Sequence, residues 1–535
     1  MIADLRREIM RPRPPRSSCP RYLRAAAAAA AASALLVLAG CSSATPEPET
    51  STPEANLNAY HQQKLDWTAC KETAKSEADK KLFADPRLEC ARVEVPVDYD
   101  KPEGNRAQVA LTRLRATGDA LGSLLIDPGG PGGSGTQMVA STQPLWQANP
   151  IAKRFDIVGF DPRGTGSSTP SLDCYTDKEY DAGEVPRYGV VYDITTADQA
   201  AEVAKRCTEA SGGVENLANA GSTNVVHDMD IIREVLGDDK LSYVGYSYGT
   251  ELGAMYATTY PDKVRAMVLD GAVSPDLTAK EFRAASFEGL QARFNDLAVF
   301  CAESPGCILG GDPAAANERL HDIVQPIVDA PIESSTGRKV SVWDVYLGIS
   351  SGLFSEKRWP TIISALTALN AGNADKILAL RDLAYGRGTD GVYNTDLDTN
   401  IAVRCMDWPR RTAEEHTDLA RRIGKVAPMF DLDVFTGGSY HNECAAWPAP
   451  PTRDEPWLTD TADLPETLVV STTGDPATPH EGGIAMARAL GGSLLTVDGK
   501  QHGAYILGAN ECVDDIVNTY LIDLETPPED ARCSL

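Results

Sequence analysis

From residue 88 onward, apolar and polar positions alternate in LECARVEVPVDY and AQVALTRLRA, the period of half-buried strands. Short and nearly continuous apolar runs follow: SLLIDP (123–128), FDIVGFDP (155–162), LSYVGYS (241–247) and RAMVLDG (265–271). Such runs suit central parallel strands covered on both faces. Helical stretches at 195–210, 224–236 and 250–260 separate them. Alternation of strand and helix predicts an α/β fold, a doubly wound and mostly parallel sheet with right-handed crossovers. From about residue 276 to 460 the alternation stops, and segments such as EFRAASFEGLQARFNDLAVF read as helix. TLVVSTTGD (467–475) and SLLTVDG (493–499) then restore the strands. The pattern predicts a core built from 61–275 and 461–535, carrying a large, mainly helical lid over 276–460 after its sixth strand.

The N-terminus changes the picture, because it reads as an address. Arg21 and Arg24 end a basic segment, and Ala25 to Ala39 form an apolar stretch shorter than the roughly 20 residues of a membrane span. It ends in Leu38-Ala39-Gly40-Cys41, which resembles a bacterial lipobox. Residues 1–40 are thus expected to be a lipoprotein signal peptide, with lipid on Cys41 holding the exported chain to the outer face of the cytoplasmic membrane. Residues 41–60, rich in Ser, Thr, Pro and Glu, are expected to be a disordered tether.

Charge and cysteine then narrow the functional classes. The formal charge is −26, and the first forty residues hold seven arginines, so the remainder carries 43 basic against 74 acidic residues. Such a surface disfavours nucleic acid, whose phosphates require cationic partners. Of twelve cysteines, ten remain after Cys19 and Cys41, an even set that favours disulfides in an exported protein. Pairing neighbours gives Cys70–Cys90, Cys174–Cys207, Cys301–Cys307, Cys405–Cys444 and Cys512–Cys533. No cysteine–histidine spacing fits zinc, and no nucleotide-binding glycine loop is present, so neither metal nor cofactor is expected.

The strongest chemical signal is Gly245-Tyr246-Ser247-Tyr248-Gly249, between the apolar strand LSYV and the helical TELGAMYATTY. Small residues flanking a serine at a strand-to-helix turn present its hydroxyl as a nucleophile. A serine hydroxyl needs a base held by a third group, and in this arrangement the order is serine, acid, histidine. Asp475 follows the strand TLVVSTTG, and His502 follows SLLTVDGK; His480, opening a helix, reads as a rim residue. An oxyanion hole needs two backbone donors. The Tyr248 N–H is one, and the glycine-rich Asp127–Gly135 loop supplies the other, with Gly130 preferred and Gly129 or Gly132 as alternatives. Arg163, in DPRGTGSS, is expected to pair with an acid in a structural role.

Taken together, DPGGPGGSG, FDIVGFDPRGTGSS, YVGYSYGTELGAMYA, AMVLDGAVSP, RCMDWP, CAAWPAPP, GDPATPH and the C-terminal CVDDIVNTYLIDLETPPEDARC resemble the actinobacterial tripeptidyl-aminopeptidase family of α/β-hydrolases, related to proline iminopeptidases. With its lipobox the chain is most similar to the mycobacterial carboxylesterase A group of envelope serine proteases. The resemblance implies Ser247, Asp475 and His502 as the triad, an oxyanion donor in the glycine-rich loop, a helical lid over a peptide site and Thr478 close to the catalytic acid. Two departures stand out: Asp127 where the motif usually begins with Asn, and Gln501 where Gly commonly precedes the histidine. An enzyme releasing short peptides from free N-termini needs an anion for the substrate's ammonium, and Asp407 and Glu288 are the candidates. The alternatives are an esterase using the same triad and a non-catalytic envelope binding protein.

Overall fold

The alternating and apolar runs form one sheet in the computed structural model, which describes residues 53–74, 77–183, 185, 194–432, 438–458, 461 and 464–535. Its strands are β1 (Leu88–Pro96), β2 (Arg106–Leu114), β3 (Ser123–Asp127), β4 (Asp156–Asp161), β5 (Leu241–Tyr246), β6 (Val264–Asp270), β7 (Leu468–Thr472), β8 (Ser493–Asp498) and β9 (Arg532–Ser534). They lie in the order β1-β2-β4-β3-β5-β6-β7-β8-β9, with a two-residue strand, Thr68–Ala69, beyond β1. The pairs β1–β2 and β2–β4 are antiparallel, and every pair from β4 to β9 is parallel.

The reason for the unbroken apolar runs is visible in the packing. Alternate residues feed opposite faces: Leu125, Tyr243, Met267 and Val469 pack under helices Ser222–Leu236 and Tyr248–Thr259. Leu124, Ile126, Val244, Val268 and Val470 pack under Gly135–Ala148 and Glu511–Asp523. The register sets Asp127 against Gly245 and Tyr246 against Asp270, so the C-terminal ends of β3, β5 and β6 share one rim. Sites in open parallel sheets form at such rims.

Between β6 and β7 the chain is mainly helical, from Ala279–Ala302 through Ala413–Val426, with one small hairpin of Ile332–Glu333 and Lys339–Val340. Part of this segment has its own apolar core, including Phe294, Tyr346, Ile349, Leu366 and Ile423. Another part differs from a single free-standing cap. Helix Asp396–Asp407 packs with residues of the excursion between β4 and β5, including Cys174, Tyr180, Val203 and Leu217. Asp398 accepts hydrogen bonds from the Cys174 amide (2.9 Å) and the Tyr180 hydroxyl (2.9 Å). The two excursions are therefore joined to each other, through the buried Asp398 carboxylate among other contacts.

The signal peptide (1–40), the lipid attachment cysteine Cys41 and the tether as far as residue 52 lie outside the described residues. The tether's far end needs correction: Pro53–His61 is helical, and Tyr60 is buried, its hydroxyl donating to the Pro102 carbonyl at 2.6 Å. Leu57 and Tyr60, three apart, give this polar segment one apolar face for the core. Five disulfides join cysteines adjacent in chain order: Cys70–Cys90, Cys174–Cys207, Cys301–Cys307, Cys405–Cys444 and Cys512–Cys533. Such usage belongs to an oxidising compartment. Arg163 is buried and bridges both carboxylate oxygens of Asp228 at 2.6 and 2.8 Å, while donating to the carbonyls of Pro96, Val97 and Asn219.

Candidate active site

Ser247 ends β5 and begins helix Tyr248–Thr259, and its φ of 55° lies in the left-handed region that a non-glycine residue enters only when the surroundings enforce it. The enforcement is local. Its amide donates to the Asp270 carbonyl at 3.0 Å, and its own carbonyl accepts from the Thr250 amide (2.9 Å) and hydroxyl (2.5 Å). A side chain at Gly245 would collide with Gly249, and one at Gly249 would stand 2.7 Å from Asp127 Oδ1. The glycines of the motif are therefore required by the tightness of the turn.

Asp475 sits on the turn after β7, buried, with Oδ1 accepting the amides of Ala477 and Thr478 at 2.9 Å each. Its two oxygens lie 2.9 and 2.8 Å from His502 Nδ1, and Thr478 Oγ1 lies 3.4 Å from the same nitrogen. Burial disfavours the imidazolium. The charge of Asp475, its hydrogen bond and the charge of Asp270 outweigh that and raise the His502 pKa above its ordinary value. His502 is half-buried, and its amide donates to the carbonyl of Phe354, a residue of the helical cover. A carboxylate fixing one nitrogen of an imidazole leaves the other free to act as a base.

The glycine-rich loop runs directly beneath Ser247. A side chain at Gly129 would lie 2.9 Å from both Ser247 Cβ and the Tyr248 nitrogen. The Gly129 amide is committed to Asp127 Oδ1 at 2.8 Å, and that of Gly133 to the Gly129 carbonyl at 2.9 Å. Gly130 lines the same cavity as Ser247, with φ of 118°, whereas Gly132 is packed against the Asp396 backbone. Of the three glycines it is Gly130 that shares a cavity with Ser247, the residue before the first amide of the following helix.

Ser247, His502, Gly130 and Thr478 line one cavity of about 430 Å³, and no direct hydrogen bond joins Ser247 Oγ to His502 Nε2. The remaining wall is largely aromatic and comes from the cover: Phe282, Phe287, Trp343, Tyr346, Phe354 and Phe430. The charged side chains among its described lining are Arg283 and Arg404.

The two acids expected to hold a substrate ammonium do not reach this space. Asp407 is buried elsewhere: Oδ1 accepts the Ser222 amide at 2.9 Å, and Oδ2 accepts the Ser222 hydroxyl, which also contacts the Tyr248 hydroxyl at 2.6 Å. It caps helix Ser222–Leu236, whose unpaired first amides attract a carboxylate. Glu288 lines a separate cavity of about 700 Å³ with Arg293 and His480. His480 Nδ1 meets the Ser471 hydroxyl at 2.8 Å.

Two further acids close strands at the rim, Asp270 unmarked in the sequence and Asp127 marked there only as a departure from Asn. Asp270 ends β6 fully buried, its Oδ2 accepting the amides of Ala504 and Tyr505 at 2.8 Å each, so it pins the turn that carries His502. Burial raises its carboxyl to about 7 against those two amide bonds. Asp127 ends β3 fully buried as well. The signal that could have found both is an acid closing an otherwise apolar strand, as in SLLID and MVLD.

A family model described as alpha/beta hydrolase fold matches residues 122–509. The serine protease Hip1 of Mycobacterium tuberculosis is 39% identical over 487 residues, covering 88% of this chain and 91% of the relative. Carboxylesterase B of the same organism is 41% identical over 500 residues, covering 92% and 94%. The tripeptidyl aminopeptidase of Streptomyces coelicolor is 32% identical over 494 residues, covering 88% and 86%. With the sheet order, the elbow at the end of β5 and these matches in agreement, the chain belongs to the α/β-hydrolase fold family and is an enzyme of its serine-hydrolase kind.

Proposed function

We propose that this chain hydrolyses peptide bonds by acyl transfer through Ser247. Ser247 Oγ attacks the carbonyl carbon while His502 Nε2 takes its proton, and Asp475 holds the Nδ1 proton and stabilises the imidazolium. The amides of Tyr248 and Gly130 receive the developing oxyanion. His502 returns the proton to the leaving amine, and water activated by the same imidazole then releases the acyl group. The observation that supports this most is the Asp475–His502 pair at 2.8 and 2.9 Å beside the cavity that holds the elbow serine. Relatives named serine protease and tripeptidyl aminopeptidase favour a peptide or protein substrate.

The rim is covered by the segment 276–460 acting as a lid, which presents its aromatic wall to the acyl portion of the substrate. Release of short peptides from free N-termini follows the aminopeptidase relative, although the ammonium anchor is neither Asp407 nor Glu288. An exported, lipid-anchored location at the cell envelope follows from the leader and Cys41. Ester hydrolysis by the same groups is the second reading, favoured by the carboxylesterase B relative and the apolar cavity. Hydrolysis of tripeptidyl anilides with free and acetylated N-termini separates these readings. Cleavage of the free form, lost in Ser247→Ala, is expected; ester turnover without any anilide cleavage would remove the peptidase reading.

A further inference from the structure

We infer that Asp127 is a positioning residue of the oxyanion loop and that it works as the neutral acid, in the manner of an amide. The inference rests on the oxyanion role given above to Gly130 and Tyr248. Asp127 closes β3 opposite Gly245, and its Oδ1 accepts the Gly129 amide at 2.8 Å, which fixes the bend leading into Gly130. The same oxygen lies against Gly249, one residue past Tyr248, where a Cβ would stand only 2.7 Å away. The carboxyl thus holds the glycine-rich loop and fills the space that the missing side chain of Gly249 leaves at the start of the helix.

Its other oxygen, Oδ2, is buried and has no hydrogen-bond partner among the described residues. The titratable groups facing it are Asp161 from β4, Tyr243 from β5 and Tyr248 from the helix, and none is cationic. Neither phenol serves Oδ2, since Tyr243 donates to the Gly249 carbonyl at 2.8 Å and the Tyr248 hydroxyl meets Ser222 at 2.6 Å. A buried carboxylate with one oxygen unpaired and another acid nearby is costly, and a proton on Oδ2 removes the charge. Burial drives the carboxyl up to about 8, the Gly129 amide opposing and Asp161 adding. The neutral acid keeps the acceptor that Gly129 needs. An ionised Asp127 would instead set a negative charge beside the forming oxyanion and draw water under the loop, lowering turnover rather than binding.

The test compares wild type with Asp127→Asn, which is neutral at every pH, using an activated ester from about pH 6 to 9. Wild-type kcat is expected to fall through about 8, while Asp127→Asn holds its rate. One pH unit above the midpoint the acid is about ten-to-one ionised, so the variant should lead by about tenfold in kcat with KM alike. A second readout does not depend on activity. Because the folded-state value is raised, the stability tied to this proton is full below the ordinary carboxylate range and is lost progressively as pH rises from there to about 8. Over that range the melting temperature of wild type should drop steadily relative to that of Asp127→Asn, the gap levelling off above about 8. Parallel pH profiles and parallel melts, or an Asp127→Asn chain that is inactive or unfolded at neutral pH, would overturn the inference. If wild-type turnover proved independent of Ser247, the proposed function would fall, and the melts alone would still decide the state of Asp127.

Discussion

Replacing Asp475 by Asn changes one atom and reverses a proton. The carbonyl oxygen of the new amide must stay where Oδ1 is now, because the amides of Ala477 and Thr478 both donate there at 2.9 Å. The NH₂ group then faces His502 Nδ1, which has to become an acceptor, and the ring proton moves to Nε2. That tautomer cannot take a proton from Ser247. Turning the amide over would restore the ring but leave the two backbone donors unpaired, at about 1–3 kcal/mol each. Either route, with loss of the charge that stabilises the imidazolium, lowers kcat on the order of 10³–10⁴-fold, while KM changes little. The sign of the pH effect also follows. Asp475 raises the His502 pKa, so wild-type activity is lost on acidification from a higher pH than for an unperturbed imidazole. In Asp475→Asn, the acid limb of the residual activity moves to lower pH. Steady-state kinetics with an activated ester and a circular-dichroism melt of each protein provide the check. A folded Asp475→Asn enzyme within tenfold of wild type would refute the reasoning.

Two other substitutions probe the support around the site. Gly129→Ala would place a methyl 2.9 Å from both Ser247 Cβ and the Tyr248 nitrogen, displacing the oxyanion loop; kcat should fall about 10²–10³-fold, and an unchanged kcat would show that the loop tolerates the shift. Arg163→Met leaves Asp228 buried without its bidentate partner, so urea denaturation should register a loss of about 3–5 kcal/mol with kcat/KM of the folded fraction preserved; a loss below about 1 kcal/mol would contradict the assignment of this pair as structural.

What the sequence could reveal was set by how local each determinant is. The elbow is written in five consecutive residues, since its tightness demands glycine at 245 and 249. Asp475 and His502 could be placed because each directly follows an apolar strand, and parallel strands bring their C-terminal ends to one rim. The parallel sense of the sheet follows from that alternation, whereas the order of its strands does not. Asp407 and Glu288 were misplaced because both lie in helical segments whose rotation and docking are fixed by distant partners. Asp407 turns toward the unpaired amides at Ser222, 185 residues away, and nothing in RCMDWP records this. The joining of the two excursions to each other is equally non-local, with Asp398 meeting Cys174 and Tyr180. Asp270 was overlooked, and Asp127 noted only as a departure from Asn, for a different reason: an acid at a strand end shows its burial only once the structure gives its neighbours. The helix at Pro53–His61 escaped notice because only Leu57 and Tyr60 distinguish it from the polar residues before it.

The central claim is that Ser247 is a nucleophile activated by His502 and Asp475. Its most direct measurement is intact-mass and peptide-level detection of a fluorophosphonate adduct on the purified, folded protein. The account predicts one adduct per chain, on the peptide carrying Ser247, absent in Ser247→Ala and strongly slowed in His502→Ala. A folded wild-type protein that takes up no label, or takes it up equally without Ser247, would contradict it.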